Sequence, residues 1–196
     1  MNIPTIIRAI DERREMVSEL TARIPEAKVV WDKTRNAMDT FIAALAAAGD
    51  GPALHLEDDV ILAPGFDRIA SACIEQRPQT VINFFSRRKE DLNPKHLTAG
   101  GRWTRELWGA LCFYLPQGYS KQLLSYFPVW PGFDKDPTGV DIMVSDFLKS
   151  RKERLWICLP NPADHRVGPS AIDRRRAKDR RSRTFHLLSK SAPRGG

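Results

Sequence analysis

Three short apolar runs, each followed by a helical pattern, limit the folds open to this chain more than any other feature. The runs predict strands over residues 3–7, 28–31 and 53–56. Apolar side chains with a helical period follow the first two runs, and a further helix is expected over residues 66–75. Strand–helix units in succession favour a largely parallel sheet covered by helices, because each parallel crossover needs a long connection.

The first two helices are placed by their apolar faces and by their expected ends. The face of the first helix is formed by Met16, Val17, Leu20 and Ile24. The face of the second is formed by Met38, Phe41, Ile42 and Leu45. Asp11 is expected to cap the first helix at its N-terminus, and Gly49 is expected to end the second.

The second half of the chain has a different rhythm. Strands are predicted over residues 80–85, 110–115 and 155–159, and helices over residues 117–126 and 140–149. The polar, glycine-containing stretch 86–102 is expected to be a mobile loop. The elements predict one α/β domain over residues 1–170, followed by a basic segment over residues 171–196 that is partly packed and partly flexible.

Length and composition narrow the class further. At 196 residues, 42% of them hydrophobic, the chain can form one core but not two ordinary domains. No run approaches the roughly 20 apolar residues that a membrane span needs, so we expect no stable membrane insertion and a cytoplasmic location, in the host if the chain is viral. Cys73, Cys112 and Cys158 are odd in number and far apart, which favours buried thiols over disulfides.

The positive charge lies almost wholly in the C-terminal segment. Residues 171–196 hold nine Lys and Arg against two Asp, which equals the net charge of +7, whereas residues 1–170 balance at 22 against 22. A neutral body with a basic end differs from a uniformly basic protein. The segment is therefore expected to meet phosphates or another acidic surface.

Three consecutive acids follow the third predicted strand. Glu57, Asp58 and Asp59 repel one another unless a positive group neutralises them. In an open α/β sheet, ligands bind at the carboxyl ends of strands, and carboxylate oxygens suit Mg²⁺ or Mn²⁺. The sequence thus predicts a cation site, with an acidic turn that merely solvates the strand end as the alternative.

Residues around these acids resemble a known signature. The run LHLEDDVIL at 54–62, with Phe66 beyond it, resembles the LEDDV…F signature of GT-A-fold glycosyltransferases, a DXD-type metal motif. PNPADH at 160–165 and GPSAI at 168–172 resemble the segment that those enzymes place before a closing R.S.TF, here RSRTF at 181–185. The resemblance implies a single GT-A-like, Rossmann-like domain. It also implies transfer of a sugar, as by a hexosyltransferase, from a nucleotide-sugar to a hydroxyl acceptor.

The same resemblance implies the cofactors and the residues that hold them. Mn²⁺ or Mg²⁺ would be bound by Asp59 and His165, with Glu57 or Asp58 assisting, and the expected donor is a UDP-sugar. Arg8 could pair with the donor phosphate and Asp32 could hydrogen-bond the base or ribose, because each residue comes directly after one of the first two predicted strands. Either residue could instead be an ordinary surface group or cap.

A catalytic base is expected near the start of the helix over residues 140–149. Asp141 is the first choice because the resemblance places an acceptor-binding acid there, and Asp136 is the second; helix capping is the alternative role. Trp108 precedes a strand and could stack on the sugar, although it could equally be a core residue. His55 is expected to pack within its strand, and His96 is expected to lie in a loop.

The identity of the acceptor is predicted from the basic segment. Arg174, Arg175, Arg176 and Lys178 suit a phosphate backbone, which favours DNA, and the chain then resembles small viral glycosyltransferases that modify hydroxymethylated pyrimidines. A saccharide, lipopolysaccharide or protein hydroxyl is the alternative acceptor. The sugar, the stereochemical course and the oligomeric state stay open.

Two other classes of function fit parts of the sequence. A metal-dependent nuclease would also use acids, a His and a basic surface, but no lysine follows the acids at close spacing. A nucleic-acid-binding module without chemistry is disfavoured, because clustered acids at a binding face would repel phosphate.

Overall fold

The computed structural model describes residues 3–132, 139–168 and 180–190. Its centre is a sheet whose seven described strands lie in the spatial order β2 (Lys28–Trp31), β1 (Thr5–Ala9), β3 (Ala53–Glu57), β7 (Cys112–Leu115), β5 (Ile82–Asn83), β8 (Leu155–Cys158) and β6 (Gly101–Thr104). A second sheet pairs β4 (Val60–Leu62) with β9 (Ala163–His165).

The central sheet is mostly parallel, in that five of its seven described strands run in the same direction. β1 pairs in parallel with both β2 and β3, and β5 pairs in parallel with β8. β7 runs antiparallel between β3 and β5, and β6 runs antiparallel to β8 at the edge. The arrangement is a mixed α/β fold compatible with a Rossmann-like class, which confirms the coarse fold prediction.

Helices cover the sheet. They are α1 (Arg14–Arg23), α2 (Ala37–Ala48), α3 (Phe66–Gln76), α4 (Pro94–Thr98), α5 (Tyr119–Tyr126), α6 (Val140–Ser150) and α7 (His186–Lys190). Short 3-10 helices lie at Asp11–Arg13, Lys89–Leu92 and Phe127–Val129. Every described helix is too short or too polar to cross a membrane.

Each face of the sheet has its own core, because alternate side chains of a strand point to opposite faces. Tyr114 of β7 packs in a cluster with Leu20 of α1 and with residues of α3. Phe113, its neighbour in the strand, packs in the other cluster with Phe41 of α2 and Met143 of α6. A strand that is buried on both faces reads as a continuous apolar run, as β7 does.

The predicted second helix, its end at Gly49 and the buried cysteines are confirmed. α2 begins after Asn36, whose side chain accepts a hydrogen bond from the backbone N–H of Met38 at 2.9 Å. It ends at Gly49, which has a φ of +68° that favours glycine. The three cysteines are buried and free, as expected.

The expected cap of α1 is wrong. Asp11 lies inside the 3-10 helix that precedes α1 and makes no capping hydrogen bond there. The backbone N–H of Ile10 is instead bound by Asp58, from the end of β3, at 2.9 Å. The first turn is therefore fixed by a residue from a different strand, a contact that local spacing does not reveal.

The prediction of a loop over residues 86–102 is also wrong for much of its length. This stretch contains a 3-10 helix, α4 with His96, and the start of β6. Asp91 is fully buried and accepts a hydrogen bond from Arg102 Nε at 2.7 Å. The ion pair ties the 3-10 helix to the edge strand.

Candidate active site

The candidate site lies at the carboxyl end of β3. Glu57 is the last residue of that strand, Asp58 and Asp59 follow it, and β4 begins at Val60. Val60 pairs with His165 of β9 in the small sheet, and the backbone N–H of Arg166 donates to the Asp59 carbonyl at 3.0 Å. This pairing brings His165 Nε2 within 3.2 Å of Asp59 Oδ2.

One ring nitrogen of His165 faces Asp59 and the other faces the backbone. Its Nδ1 contacts the backbone carbonyl of Arg166, and because a carbonyl can only accept, Nδ1 carries the donated proton. In the neutral ring, Nε2 then has no hydrogen and faces a carboxylate oxygen. Two electron-rich atoms at this distance repel each other unless a proton or a cation lies between them. Both side chains are only 4–5% exposed, so water screens this contact little.

Asp58 and Asp59 share one arginine that the sequence did not single out. Arg13 Nη1 donates to Asp58 Oδ1 at 2.6 Å and to Asp59 Oδ2 at 2.7 Å. Asp58 uses its second oxygen for the backbone N–H of Ile10. Arg180 Nη2 lies 4.0 Å from Asp59 Oδ2. Asp59 Oδ1, in contrast, is buried without a hydrogen-bond partner among the described residues.

Arg8 and Glu57 lie side by side on β1 and β3, next to the other two acids. Arg8 is 6% exposed, lies 3.5 Å from Glu57 Oε1 through Nη2, and donates to the carbonyl of Ala110. Its guanidinium also lies over the rings of Phe41 and Phe113. Burial lowers the pKa of Arg8, and the surrounding carboxylates oppose that shift. Pairing of Arg8 with a donor phosphate stays a prediction, because the contacts seen here are internal.

The three acids differ in their protonation behaviour. Burial raises the pKa of Glu57 and that of Asp58 above the ordinary values of these side chains. Burial acts in the same direction on Asp59, but His165, Arg13 and Arg180 together lower the pKa of Asp59 below its ordinary value. Asp59 is therefore the acid most firmly held in the charged form that a cation requires.

Asp141 lies in the first turn of α6 and contacts the segment before β7. Its Oδ2 accepts a hydrogen bond from the backbone N–H of Gly109 at 3.2 Å, and its Oδ1 accepts from the backbone N–H of Ile142 at 3.1 Å. Asp141 also interacts electrostatically with Arg8, as Glu57, Asp58 and Asp59 do. The structure thus brings the predicted base to the same edge of the sheet as the acids.

Trp108 stands beside this contact. Its Nε1 donates to Glu106 at 2.8 Å, and the guanidinium of Arg88 lies 4.0 Å from its ring centre. The residue is half-buried, so it is not a core residue. Gly109 has a φ of +84°, and a Cβ there would meet the ring of Phe85 at 2.9 Å. A larger residue at 109 would therefore displace the backbone that holds Asp141.

The remaining predicted residues make other contacts or lie outside the described residues. Asp32 Oδ1 accepts from the backbone N–H groups of Thr34 and Arg35, at 2.9 and 2.8 Å, and so caps the turn after β2. His55 is buried between aromatic rings within β3, as expected. Residues lying outside the described part of the chain are Asp136, Arg174, Arg175, Arg176 and Lys178.

The described C-terminal residues pack against the β9 side of the site. Thr184 is fully buried, and its hydroxyl binds both the backbone N–H and the side chain of Asn161. The backbone N–H of Ser182 donates to Asp164 Oδ1 at 2.7 Å, and Arg181 pairs with the other oxygen of Asp164. Asp164 and His165 are neighbours in β9, so these contacts help to fix His165.

Asp59 and His165 are the two residues of this cluster that could hold a divalent cation. Asp59 Oδ1 and His165 Nε2 are buried atoms without hydrogen-bond partners in the described chain. A metal-binding histidine usually donates its other ring N–H to a carbonyl or carboxylate, as His165 does to Arg166. Asp59 and His165 would hold the ion, with Glu57 electrostatically coupled to both. The arrangement can place a cation beside a ligand that reaches the carboxyl edge of β3.

Comparison with solved structures finds distant structural likenesses. The chain is similar to the solved structure "Crystal Structure of A197 from STIV", with 13% identity, a TM-score of 0.49, and coverage of 85% of this chain and 87% of that chain. No protein-family model and no curated protein matches the chain. The fold and the site by themselves define a mixed α/β protein with a buried acidic cluster at the carboxyl edge of its sheet.

Proposed function

We propose that the protein is a metal-dependent glycosyltransferase that moves a sugar from a nucleotide-sugar to a hydroxyl acceptor. One observation carries the proposal: the buried side chains of Asp59 and His165 lie 3.2 Å apart at the carboxyl end of β3, and the other oxygen of Asp59, Oδ1, is buried without a hydrogen-bond partner among the described residues. The motif residues that resemble the GT-A signature supply both groups. A UDP-sugar with Mn²⁺ or Mg²⁺ is the proposed donor complex.

The cluster residues have distinct proposed roles. Asp59 and His165 would hold the divalent cation, which would supply neutralisation of the charge on the diphosphate leaving group. Glu57, paired with Arg8, holds the end of β3 in place. Asp58 fixes the turn before α1 through the N–H of Ile10 and positions Arg13. Asp32 would meet the base or ribose by an oxygen other than the one that caps its turn.

Asp141 is the proposed base. Two backbone N–H groups orient its carboxylate, and each carboxylate oxygen keeps a further lone pair that can accept a proton from the acceptor hydroxyl. Trp108 lies next to Gly109, whose N–H holds Asp141, and offers a ring face on which a sugar could stack. Donor and acceptor sides would thus meet between β3 and α6.

The favoured acceptor is a 5-hydroxymethylpyrimidine in DNA. Support comes from the charge distribution, since the positive excess lies in residues 171–196 while the body is neutral. A saccharide, lipopolysaccharide or protein hydroxyl is the second proposal for the acceptor. The location proposed for the protein is the cytoplasm.

The test is incubation with Mn²⁺ and a panel of sugar nucleotides, with and without hydroxymethylated DNA. We expect a mass gain of one sugar on the modified nucleoside, detected after digestion of the DNA, and release of the nucleoside diphosphate. Asp59→Asn should abolish both products. Asp67→Asn is the matched control, because Asp67 is an exposed acid eight residues further along the chain.

Other results would redirect the proposal. Diphosphate release with a saccharide or protein acceptor, but without gain on DNA, would support the second acceptor class. Metal-dependent cleavage of the DNA without sugar transfer would overturn the proposal in favour of a nuclease. Loss of transfer in Asp67→Asn as well would remove the link between Asp59 and the chemistry.

The basic segment gives a separate test of the DNA acceptor. Neutralising Arg174, Arg175, Arg176 and Lys178 together should raise the KM for DNA and flatten its salt dependence. On duplex DNA, log affinity falls with log salt at a slope of roughly −0.9 per phosphate neutralised. The kcat at saturating DNA should be unchanged. A variant with the parental KM at two salt concentrations would instead favour a saccharide or protein acceptor.

A further inference from the structure

Arg13 is a cationic side chain placed at the point where a metal ion would act. A single nitrogen, Nη1, lies 2.6 Å from Asp58 Oδ1 and 2.7 Å from Asp59 Oδ2. The side chain is 17% exposed, so the contact is largely protected from water. One positive group thus bridges two neighbouring carboxylates, as a divalent cation would.

The two carboxylates hold Arg13 in different ways. Asp58 binds Arg13 and the backbone N–H of Ile10, which fixes both the guanidinium and the start of its turn. Asp59 binds Arg13 by Oδ2, the oxygen that also faces His165, while its Oδ1 has no partner among the described residues. A cation that binds Asp59 can therefore displace Arg13 from Asp59, while the hydrogen bond between Arg13 and Asp58 remains.

We propose that Arg13 competes with the divalent cation for Asp59 and, once displaced, binds the diphosphate of the donor. The inference rests on the proposed function. A guanidinium has five N–H donors, and only Nη1 is needed by Asp58. The remaining donors suit phosphate oxygens, which arginine binds in pairs. Arg13 would then be a donor-binding residue whose position depends on the metal.

This dual role predicts effects of opposite sign from one substitution. Arg13→Gln removes the competing charge, so Mn²⁺ alone should bind about tenfold more tightly, within the range typical of coupling between two ligands. The same variant saturated with Mn²⁺ should bind UDP about tenfold more weakly, because one cation at the diphosphate is lost. A merely structural role for Arg13 would weaken both affinities or change neither.

Titration calorimetry of the full chain measures both affinities, first with Mn²⁺ alone and then with UDP at saturating Mn²⁺. Arg14→Gln is the matched control, because Arg14 is the next residue and its side chain is 67% exposed in a surface pair with Asp11. It should keep both parental affinities. Arg13→Lys keeps the positive charge near Asp59 and should therefore bind Mn²⁺ less tightly than Arg13→Gln does. It guards against misfolding of Arg13→Gln, which far-UV circular dichroism would reveal.

The possible outcomes separate this inference from the proposed function. Tighter Mn²⁺ binding together with weaker UDP binding in Arg13→Gln supports the inference. Unchanged or weaker Mn²⁺ binding in that variant overturns it, and so does unchanged UDP affinity. If Asp59→Asn then still loses Mn²⁺ binding, the proposed function stands without the inference. A parental protein that binds neither Mn²⁺ nor UDP overturns both.

Discussion

Asp59 and Asp91 are two buried aspartates that look alike when each is considered with its nearest arginine. Asp91 accepts from Arg102 at 2.7 Å, and Asp59 accepts from Arg13 at 2.7 Å. Each also has one carboxylate oxygen without a hydrogen-bond partner in the described chain. Burial, ion pairing and an unused oxygen are thus common to both regions.

The surroundings of the two aspartates differ. The Asp91–Arg102 pair joins a 3-10 helix to β6, across only 11 positions of the chain. Asp59 lies beside Asp58 and faces His165, and Arg13 and Arg180 are both near its Oδ2. In the Asp91 region, one carboxylate is paired with one guanidinium. The Asp59 region gathers titratable groups from distant parts of the chain, which is the arrangement expected of a ligand site rather than of a brace.

The largest effect that separates these regions should be on metal binding. Asp59→Asn should abolish detectable binding of Mn²⁺, whereas Asp91→Asn should leave that affinity unchanged. Stability should respond in the reverse order, because Asp91→Asn leaves the charge of the mostly covered Arg102 uncompensated, at a cost of up to about 3 kcal/mol. Arg13 keeps Asp58 when Asp59 is replaced, so Asp59→Asn should cost less.

Calorimetric titration with Mn²⁺ and urea denaturation of both variants check this prediction. Equal loss of Mn²⁺ binding in the two variants would show that the contrast between the regions has no functional meaning. An equal decrease in the free energy of unfolding would show that the Asp59 cluster also serves chiefly to stabilise the fold.

Asp141 tests whether the contrast extends to the acceptor side. Asp141→Asn should slow transfer by about 10²–10⁴-fold, because an amide keeps the hydrogen bond to the hydroxyl but cannot take its proton. Binding of UDP with Mn²⁺ should be nearly unchanged. Single-turnover transfer assays and calorimetry separate the two effects, and transfer at the parental rate would assign the base elsewhere, with Asp136 as the next candidate.

His55 tests whether atoms without partners are by themselves enough to mark a site. Both of its ring nitrogens are buried without partners, yet it stacks on Phe113 at a ring distance of 5.3 Å. Burial, followed by the charge of Arg8, lowers the pKa of His55 from 6.5 to about 3. Below pH 6.5 the unfolded chain takes up a proton that the folded protein does not, so the free energy of unfolding falls as the pH falls.

That loss should amount to about 2 kcal/mol between pH 7 and pH 5, since one pKa unit corresponds to about 1.4 kcal/mol. His55→Leu should remove this part of the pH dependence and leave Mn²⁺ affinity at pH 7 unchanged. Urea denaturation at the two pH values measures the first effect and calorimetry the second. A variant with the parental slope, or with weaker Mn²⁺ binding, would contradict the assignment of His55 to the core.

Local sequence patterns were sufficient for the elements that carry a strong period. α2 has an apolar face, and Gly49 ends it, so both could be read without tertiary information. The predicted bounds of β1, residues 3–7, were two residues too early, because the ends of a strand depend on its partners in the sheet and β1 spans Thr5–Ala9. β4, β6 and β9 were not predicted. Each has only three or four residues, and each pairs with a strand that is distant in the chain.

The site was predictable only in part, for a similar reason. The acids at the end of β3 and His165 stand in segments that resemble known motifs, and the structure brings Asp59 and His165 together. Arg13 was missed because a charged residue before a helix usually faces solvent. Its contact with Asp58 spans 45 positions, and no local signal marks it. Arg180 lies in a generally basic stretch, where composition does not distinguish one arginine from the next.

The pairing of β4 with β9 has a consequence for how the protein is made. Asp59 and His165 are about 100 positions apart in the chain, and β9 is held by contacts to residues nearer still to the C-terminus, including Ser182. During synthesis, β1 to β3 emerge long before the imidazole that faces Asp59. Until β9 emerges, the acids have Arg8 and Arg13 as companions but not His165, so a ribosome-bound chain ending at residue 160 would lack half of the proposed metal ligands.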